Sequence, residues 1–237
     1  MGETGIEAEG QRGTRRGFTL VELLVVITIM GIIAAMVVGM SAMAGRKKRD
    51  TVVTAMKARL SLFINTYQSK MGFFPPDNAT NALCDLTTPA GLQAYEVSTG
   101  MNSLIYELTG APFSTNGNFA AFDGTSLSGA KVSGLCGRGG IANSLPDEMH
   151  VYYQPLPNPK DYLVVPVGGS SFDILVVPVD LMGNTTNFWH YDCSNPNRHN
   201  PHGFDLWAEY SAGSRKDTNG NVFPIIITNG NWNMASQ

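Results

Sequence analysis

An almost unbroken apolar run, residues 18–45 (FTLVELLVVITIMGIIAAMVVGMSAMAG), stands near the start of the chain between a polar leader and a basic cluster. Its one charge is Glu22. From Leu23 to Gly45 no side chain is ionisable, and a helix needs about 20 such residues to cross a hydrocarbon core of about 30 Å. The pattern then changes. Within residues 51–70, Val53, Met56, Leu60, Phe63, Ile64 and Tyr67 recur at steps of three and four, which predicts an amphipathic helix with one apolar stripe. No Pro occurs before Pro75, so both segments can form one helix, roughly 80 Å long from Phe18 to Lys70 at about 1.5 Å per residue. Gly72-Phe73-Phe74-Pro75-Pro76 is a stop signal.

Past that point the helical period is lost. A short helix is predicted at residues 103–108, ending at Gly110. Residues 111–146, rich in Gly, Ser, Asn and Ala, read as a long loop. Asp161–Val167 and Phe172–Val179 are rich in Val, Leu and aromatics and read as strands, with Gly168-Gly169-Ser170-Ser171 as the hairpin between them.

Charge changes the picture more than composition does. The chain has 237 residues, 43% hydrophobic and 15% charged, with a net charge of −3 and a pI near 5.8. That balance argues against a general nucleic-acid binder. The average conceals a basic collar: Arg46, Lys47, Lys48, Arg49, Lys57, Arg59 and Lys70 face one acid, Asp50, before an acidic body. Such a chain meets a membrane surface near residue 46 and then leaves it. Cys84, Cys136 and Cys193 are too few for a disulfide scaffold, and any one pair among them is open.

Glu22 is the anomaly, because a carboxylate one turn inside an apolar helix costs a few kcal/mol or more. It either snorkels at the interface or meets a cation, and an ammonium at Phe18 would supply one. The run Gly17-Phe18-Thr19-Leu20-Val21-Glu22-Leu23-Leu24-Val25-Val26-Ile27, after a leader holding Arg12, Arg15 and Arg16, resembles the class III signal of type IV pilins and type II secretion pseudopilins. The resemblance implies cleavage between Gly17 and Phe18 by the prepilin peptidase, N-methylation of Phe18, and Glu22 as the assembly glutamate that pairs with the amine of an adjacent subunit. Many relatives carry a Pro midway along the helix, where this chain has Gly39.

Further matches are looser. Tyr67 with Gly72-Phe73-Phe74-Pro75, Asp180-Leu181-Met182-Gly183-Asn184 with Phe188-Trp189-His190-Tyr191, Gly203-Phe204-Asp205-Leu206-Trp207, and Ile227 to Trp232 resemble segments of major pseudopilins. The family implies an α+β pilin fold, a long N-terminal helix packed on a small antiparallel sheet. Its parts would be a leader (1–17), a transmembrane and filament-core half-helix (18–45), an amphipathic half-helix (46–74) and a periplasmic head (75–237). It implies a non-enzymatic subunit of a secretion pseudopilus, or else of a type IV pilus. The chain would first sit as a single-pass inner-membrane protein and then enter a periplasmic or surface filament. Its partners would be copies of itself, the prepilin peptidase, an inner-membrane assembly platform and minor pseudopilins.

Other chemistry is weaker. His190, Asp192, Cys193, His199 and His202 are zinc-type ligands in a spacing that is no known zinc signature. They sustain one alternative, a membrane-tethered metal- or ligand-binding protein that borrows the export signal. Asp217-Thr218-Asn219-Gly220-Asn221 offers oxygens in a tight turn, and the resemblance implies calcium nearby with Asp217 as the best-matching ligand. The later acidic ligands of the family have no counterpart near Pro224-Ile225-Ile226. Gly134 to Gly140 lacks the spacing and βαβ frame of a phosphate loop, and no nucleophile-elbow pattern accompanies the Ser, His and Asp residues.

Overall fold

A computed structural model describes residues 18–77, 102–136, 140–167, 170–181 and 186–232, without the side chains of 37–43, 134–136, 166–167 and 170. The leader with Gly17, Cys84, the side chain of Cys136, the turn Gly168-Gly169 and the stretch Met182-Gly183-Asn184 lie outside the described residues. The chain divides into two units, Met1–Gly45 and Arg46–Gln237.

Helix α1 runs from Leu20 to Met71, as the absence of Pro allows. In the first unit its apolar side chains, from Leu20 to Met36, are exposed. Thr28, the uncharged polar residue among them, turns its hydroxyl back to Leu24 O at 2.7 Å and so carries no unsatisfied donor. Among the described residues no helix is long and apolar enough to cross a membrane; the side chains of the apolar run are described only as far as Met36.

In the second unit, Val53, Leu60, Phe63, Ile64 and Tyr67 of the expected stripe are buried, and Met56 packs against them. The helix stops where expected: Gly72 takes φ +80 and donates its N–H to Gln68 O at 2.9 Å, the left-handed cap that glycine allows. A short helix α2 (Leu104–Thr109) is wholly buried. The stretch read as a long loop is more structured than expected. It holds β1 (Asn118–Ala120), β2 (Ser126–Ser128) and α3 (Gly129–Cys136). Asp123 builds the β1–β2 turn by accepting from Thr125 N at 2.9 Å and Thr125 Oγ1 at 2.7 Å.

Strands β3 (Tyr162–Val167) and β4 (Ser170–Leu175) form the expected antiparallel hairpin, with β4 beginning and ending earlier than the apolar pattern indicated. Strands β5 (His190–Asp192), β6 (Asp205–Lys216) and β7 (Val222–Gly230) form a three-stranded antiparallel sheet. Leu206, Ala208, Tyr210 and Ala212 alternate inward on β6. The second half of α1 is bonded to this sheet: Tyr210 Oη donates to Asp50 Oδ1 at 2.8 Å, Asn229 Nδ2 to Thr54 Oγ1 at 3.0 Å, and Lys57 Nζ to Asn229 Oδ1 and Gly230 O. A long helix laid on small antiparallel sheets is the α+β pilin-like architecture.

Candidate functional site

The start of α1 carries the residues that the sequence singles out. Thr19 stands one residue before the helix, and its carbonyl accepts the first helical bond, from Leu23 N at 3.2 Å. Its backbone N–H and its hydroxyl both donate to Glu22 Oε2 at 2.9 Å, while Glu22 N donates to Thr19 Oγ1 at 3.2 Å. This reciprocal arrangement is a capping box, in which cap hydroxyl and third-position carboxylate each satisfy the other's backbone N–H. The carboxylate also stands at the positive end of the helix dipole. Both bonds that Glu22 accepts end on Oε2, and Oε1 accepts none among the described residues. Phe18 is 77% exposed.

Glu22, an anomaly in the sequence that calls for a partner, has a local one in Thr19. Thr-x-x-Glu before an apolar run is itself a helix-start signature, so the signal was present. The local bonds reduce the penalty of the carboxylate and leave one oxygen open to a cation.

Asp217 lies far from this region in the chain and satisfies itself. Its Oδ1 accepts from Asn219 N at 2.9 Å and Asn221 N at 2.8 Å, and its Oδ2 from Asn221 Nδ2 at 2.9 Å. These bonds hold its pKa below the ordinary carboxylate value, the Asn221 side chain contributing most. With a single carboxylate whose oxygens already face N–H groups, this donor set does not fit a hard cation.

The His and Cys residues of the 190–202 stretch do not converge. Among the described residues no group of three or more His, Cys, Asp or Glu could hold a metal ion. His190 stacks on Trp207 at 5.0 Å and 13°, and burial pushes its pKa down to about 4. His199 instead stacks on Trp232 at 4.1 Å and 3° and places Nδ1 3.0 Å from Asp205 Oδ2. Asp205 is the organiser of this loop, accepting also from His199 N at 2.7 Å and Asn200 N at 3.0 Å. Asp77 accepts from Cys193 N and Ser194 N at 2.6 and 2.8 Å, which ties the end of the helix segment to the β5 exit. These acids act as backbone clamps.

Two buried acids were not anticipated. Glu107 on α2 is fully buried and accepts from Tyr67 Oη at 2.9 Å, Ala142 N at 2.8 Å and Asn143 N at 2.9 Å. Burial first, then the Glu107 charge, raises the Tyr67 pKa. Asp173 on β4 is also fully buried, and among the described residues neither carboxylate oxygen has a hydrogen-bond partner. Burial chiefly, helped by Asp123, pushes its carboxyl up to about 7.

Comparison with known proteins places the weight on the start of α1. Residues 12–38 match the model for the prokaryotic N-terminal methylation motif. The chain is 36% identical over 89 residues to the type IV wide pilus major component PilA4 of Thermus thermophilus, an alignment covering 37% of this chain and 68% of that relative. No solved structure matches at a significant level.

Proposed function

Since the chain belongs to the type IV pilin-like family, we propose that it is the structural subunit of a filament, made as a membrane-anchored precursor. The observation that carries this reading is the capped, charged start of an otherwise apolar and exposed helix. Exposed apolar surface on that scale demands a cover. Before assembly the cover is lipid around residues 18–45; afterwards it is the same segment of sister subunits. Cleavage between Gly17 and Phe18 creates a terminal amine, which is then methylated. The amine remains a cation after methylation, and the open Oε1 of Glu22 in a neighbouring subunit is its counter-charge. A charge pair in a low-dielectric core sets axial register more than it adds net stability. Membership of the pilin-like family supports a structural rather than a catalytic role.

The destination of the filament has two readings, each with its own support. The PilA4 relative is named as a pilus component, which favours a surface pilus. The segments at Gly72–Pro75 and Gly203–Trp207 that resemble major pseudopilins favour a short secretion pseudopilus that pushes proteins across the outer membrane, with minor pseudopilins and an assembly platform as partners. Sequencing the amino terminus of the native protein should give methylated Phe18; retention of the first seventeen residues would overturn the processing. Glu22→Ala should enter the membrane in wild-type amount yet yield no filaments, and normal filaments from it would overturn the assembly role. Deleting the gene then separates the destinations: loss of surface fibres marks a pilus, and loss of secreted proteins marks a pseudopilus.

A further inference from the structure

The second unit has a cavity of about 640 Å³, lined by Arg49, Asp180, Ser211, Gly213, Ser214 and Val222 among others. Its volume falls within the about 300–1,000 Å³ of small-molecule sites. It opens where β6 and β7 lose register between Ser211 and Ser214. Gly213 lies in that irregularity with φ +130, and the Arg46 guanidinium covers it: a Cβ there would stand 2.8 Å from Nη2. Arg49 reaches the same place, donating from Nη1 to Ser211 O at 3.0 Å. Two guanidinium groups therefore gather on one bulge, Arg49 within the cavity's lining and Arg46 at its margin over Gly213. Among the described residues neither has a carboxylate within ion-pair distance. Asp180, also in the lining, is exposed and without an ion pair among the described residues.

The lining is thus bipolar, and its place in the chain is informative. Arg46 is the first residue after the apolar run that ends at Gly45. If residues 18–45 are the membrane anchor, the arginines follow the chain's exit from hydrocarbon and enter the headgroup layer. Arg is suited to phosphate because its planar fork donates two parallel bonds. Val222 and its neighbour Phe223, 60% and 45% exposed, add apolar surface beside the polar wall, as a ligand with both a headgroup and acyl chains requires.

We propose that this cavity seats the headgroup of a membrane phospholipid, the phosphate on Arg46 and Arg49 and an ammonium on Asp180. The site rests on the membrane-anchored reading above. It gives the precursor a fixed lipid contact, which it would exchange for sister subunits when drawn into a filament.

The test uses the full chain in mild detergent, offered phosphatidylethanolamine, phosphatidylglycerol or phosphate-free diacylglycerol, with retained lipid counted by native mass spectrometry. Phosphatidylethanolamine should be retained in preference to phosphatidylglycerol, and diacylglycerol not at all. Arg46→Gln with Arg49→Gln should weaken retention of both phospholipids about tenfold or more, a loss of about 1.4 kcal/mol or greater. Asp180→Asn, a change at an exposed position, should abolish the preference for ethanolamine and leave phosphatidylglycerol bound. Equal retention of all three lipids, or no effect of either variant, would overturn the site. Displacement by an equal concentration of soluble phosphorylethanolamine would assign the cavity to a soluble phosphate ester and overturn the lipid source. Vesicle flotation of the same chain separates the two ideas. Insertion without headgroup preference sinks the site alone, whereas a chain that never floats sinks the anchor and the site together.

Discussion

Thr19 and Glu22 hold one another before any partner arrives. At the scale of the single residue, this changes what a substitution at either position means. Glu22→Ala removes the charge proposed for assembly and a helix cap together, so any effect on filaments would mix two causes. Thr19→Ala separates them. It leaves the carboxylate in place and removes the hydroxyl that orients it, at a cost of about 1 kcal/mol to the helix start. Amide hydrogen exchange at residues 20–23 of the full chain should then quicken roughly fivefold, and Thr19→Ser should restore protection. Unchanged exchange in Thr19→Ala would show that the box contributes nothing. Gly213 is a residue of another kind, where a positive φ and the Arg46 guanidinium overhead both exclude a side chain.

Between elements, the decisive contact is a buried carboxylate. Glu107 joins three parts of the second unit: α2, which carries it, Tyr67 of α1, and the 142–143 backbone. Asn143 closes the network, donating to Glu107 O at 2.8 Å and accepting from His150 N at 3.0 Å. Tyr67→Phe keeps the ring contact with Tyr152 at 5.0 Å and deletes one bond to a charged group, so unfolding free energy should fall by about 1.5–3 kcal/mol. Chemical denaturation of the full chain measures this; a loss below about 0.5 kcal/mol would mean that the two amides alone satisfy the acid. Such contacts set the limit of what the sequence disclosed. The α1 stripe, its stop at Gly72 and the β3–β4 hairpin were legible because periodicity and turn residues act locally. The 111–146 stretch was not, because β1 and β2 have three residues each and take their stability from Phe119 and Leu127 packing into the shared core. Nor did any pattern mark Glu107 or Asp205 as clamps, since their donors come from distant backbone or from loop geometry. The start of α1 was legible as a site through its resemblance, and its internal bonds were legible only in the Thr-x-x-Glu spacing of Thr19 and Glu22.

The molecule as a whole should answer pH through two buried groups that pull in opposite directions. Burial raises Asp173 from 3.8 to about 7 and lowers His190 from 6.5 to about 4. For Asp173, the unfolded chain ionises first as pH rises, so the native state binds more protons and stability falls through this window. For His190, the unfolded chain holds its proton longer, so stability climbs between about pH 4 and 6.5. Each slope approaches about 1.4 kcal/mol per pH unit at most. Across the shared interval they oppose one another, and the wild-type profile should lie between those of the two variants that each lack one arm. Asp173→Asn removes one arm: its stability should rise from about pH 4 to 6.5 and exceed wild type at pH 8, since the amide carries no buried charge. His190→Gln removes the other arm and should lose stability across the same range. Denaturant midpoints of the full chain at half-unit steps from pH 4 to 8 read all three curves. Parallel profiles for the three proteins would place the pH response elsewhere, and a wild-type curve that rises while Asp173→Asn follows it would mean that Asp173 finds a donor in solution.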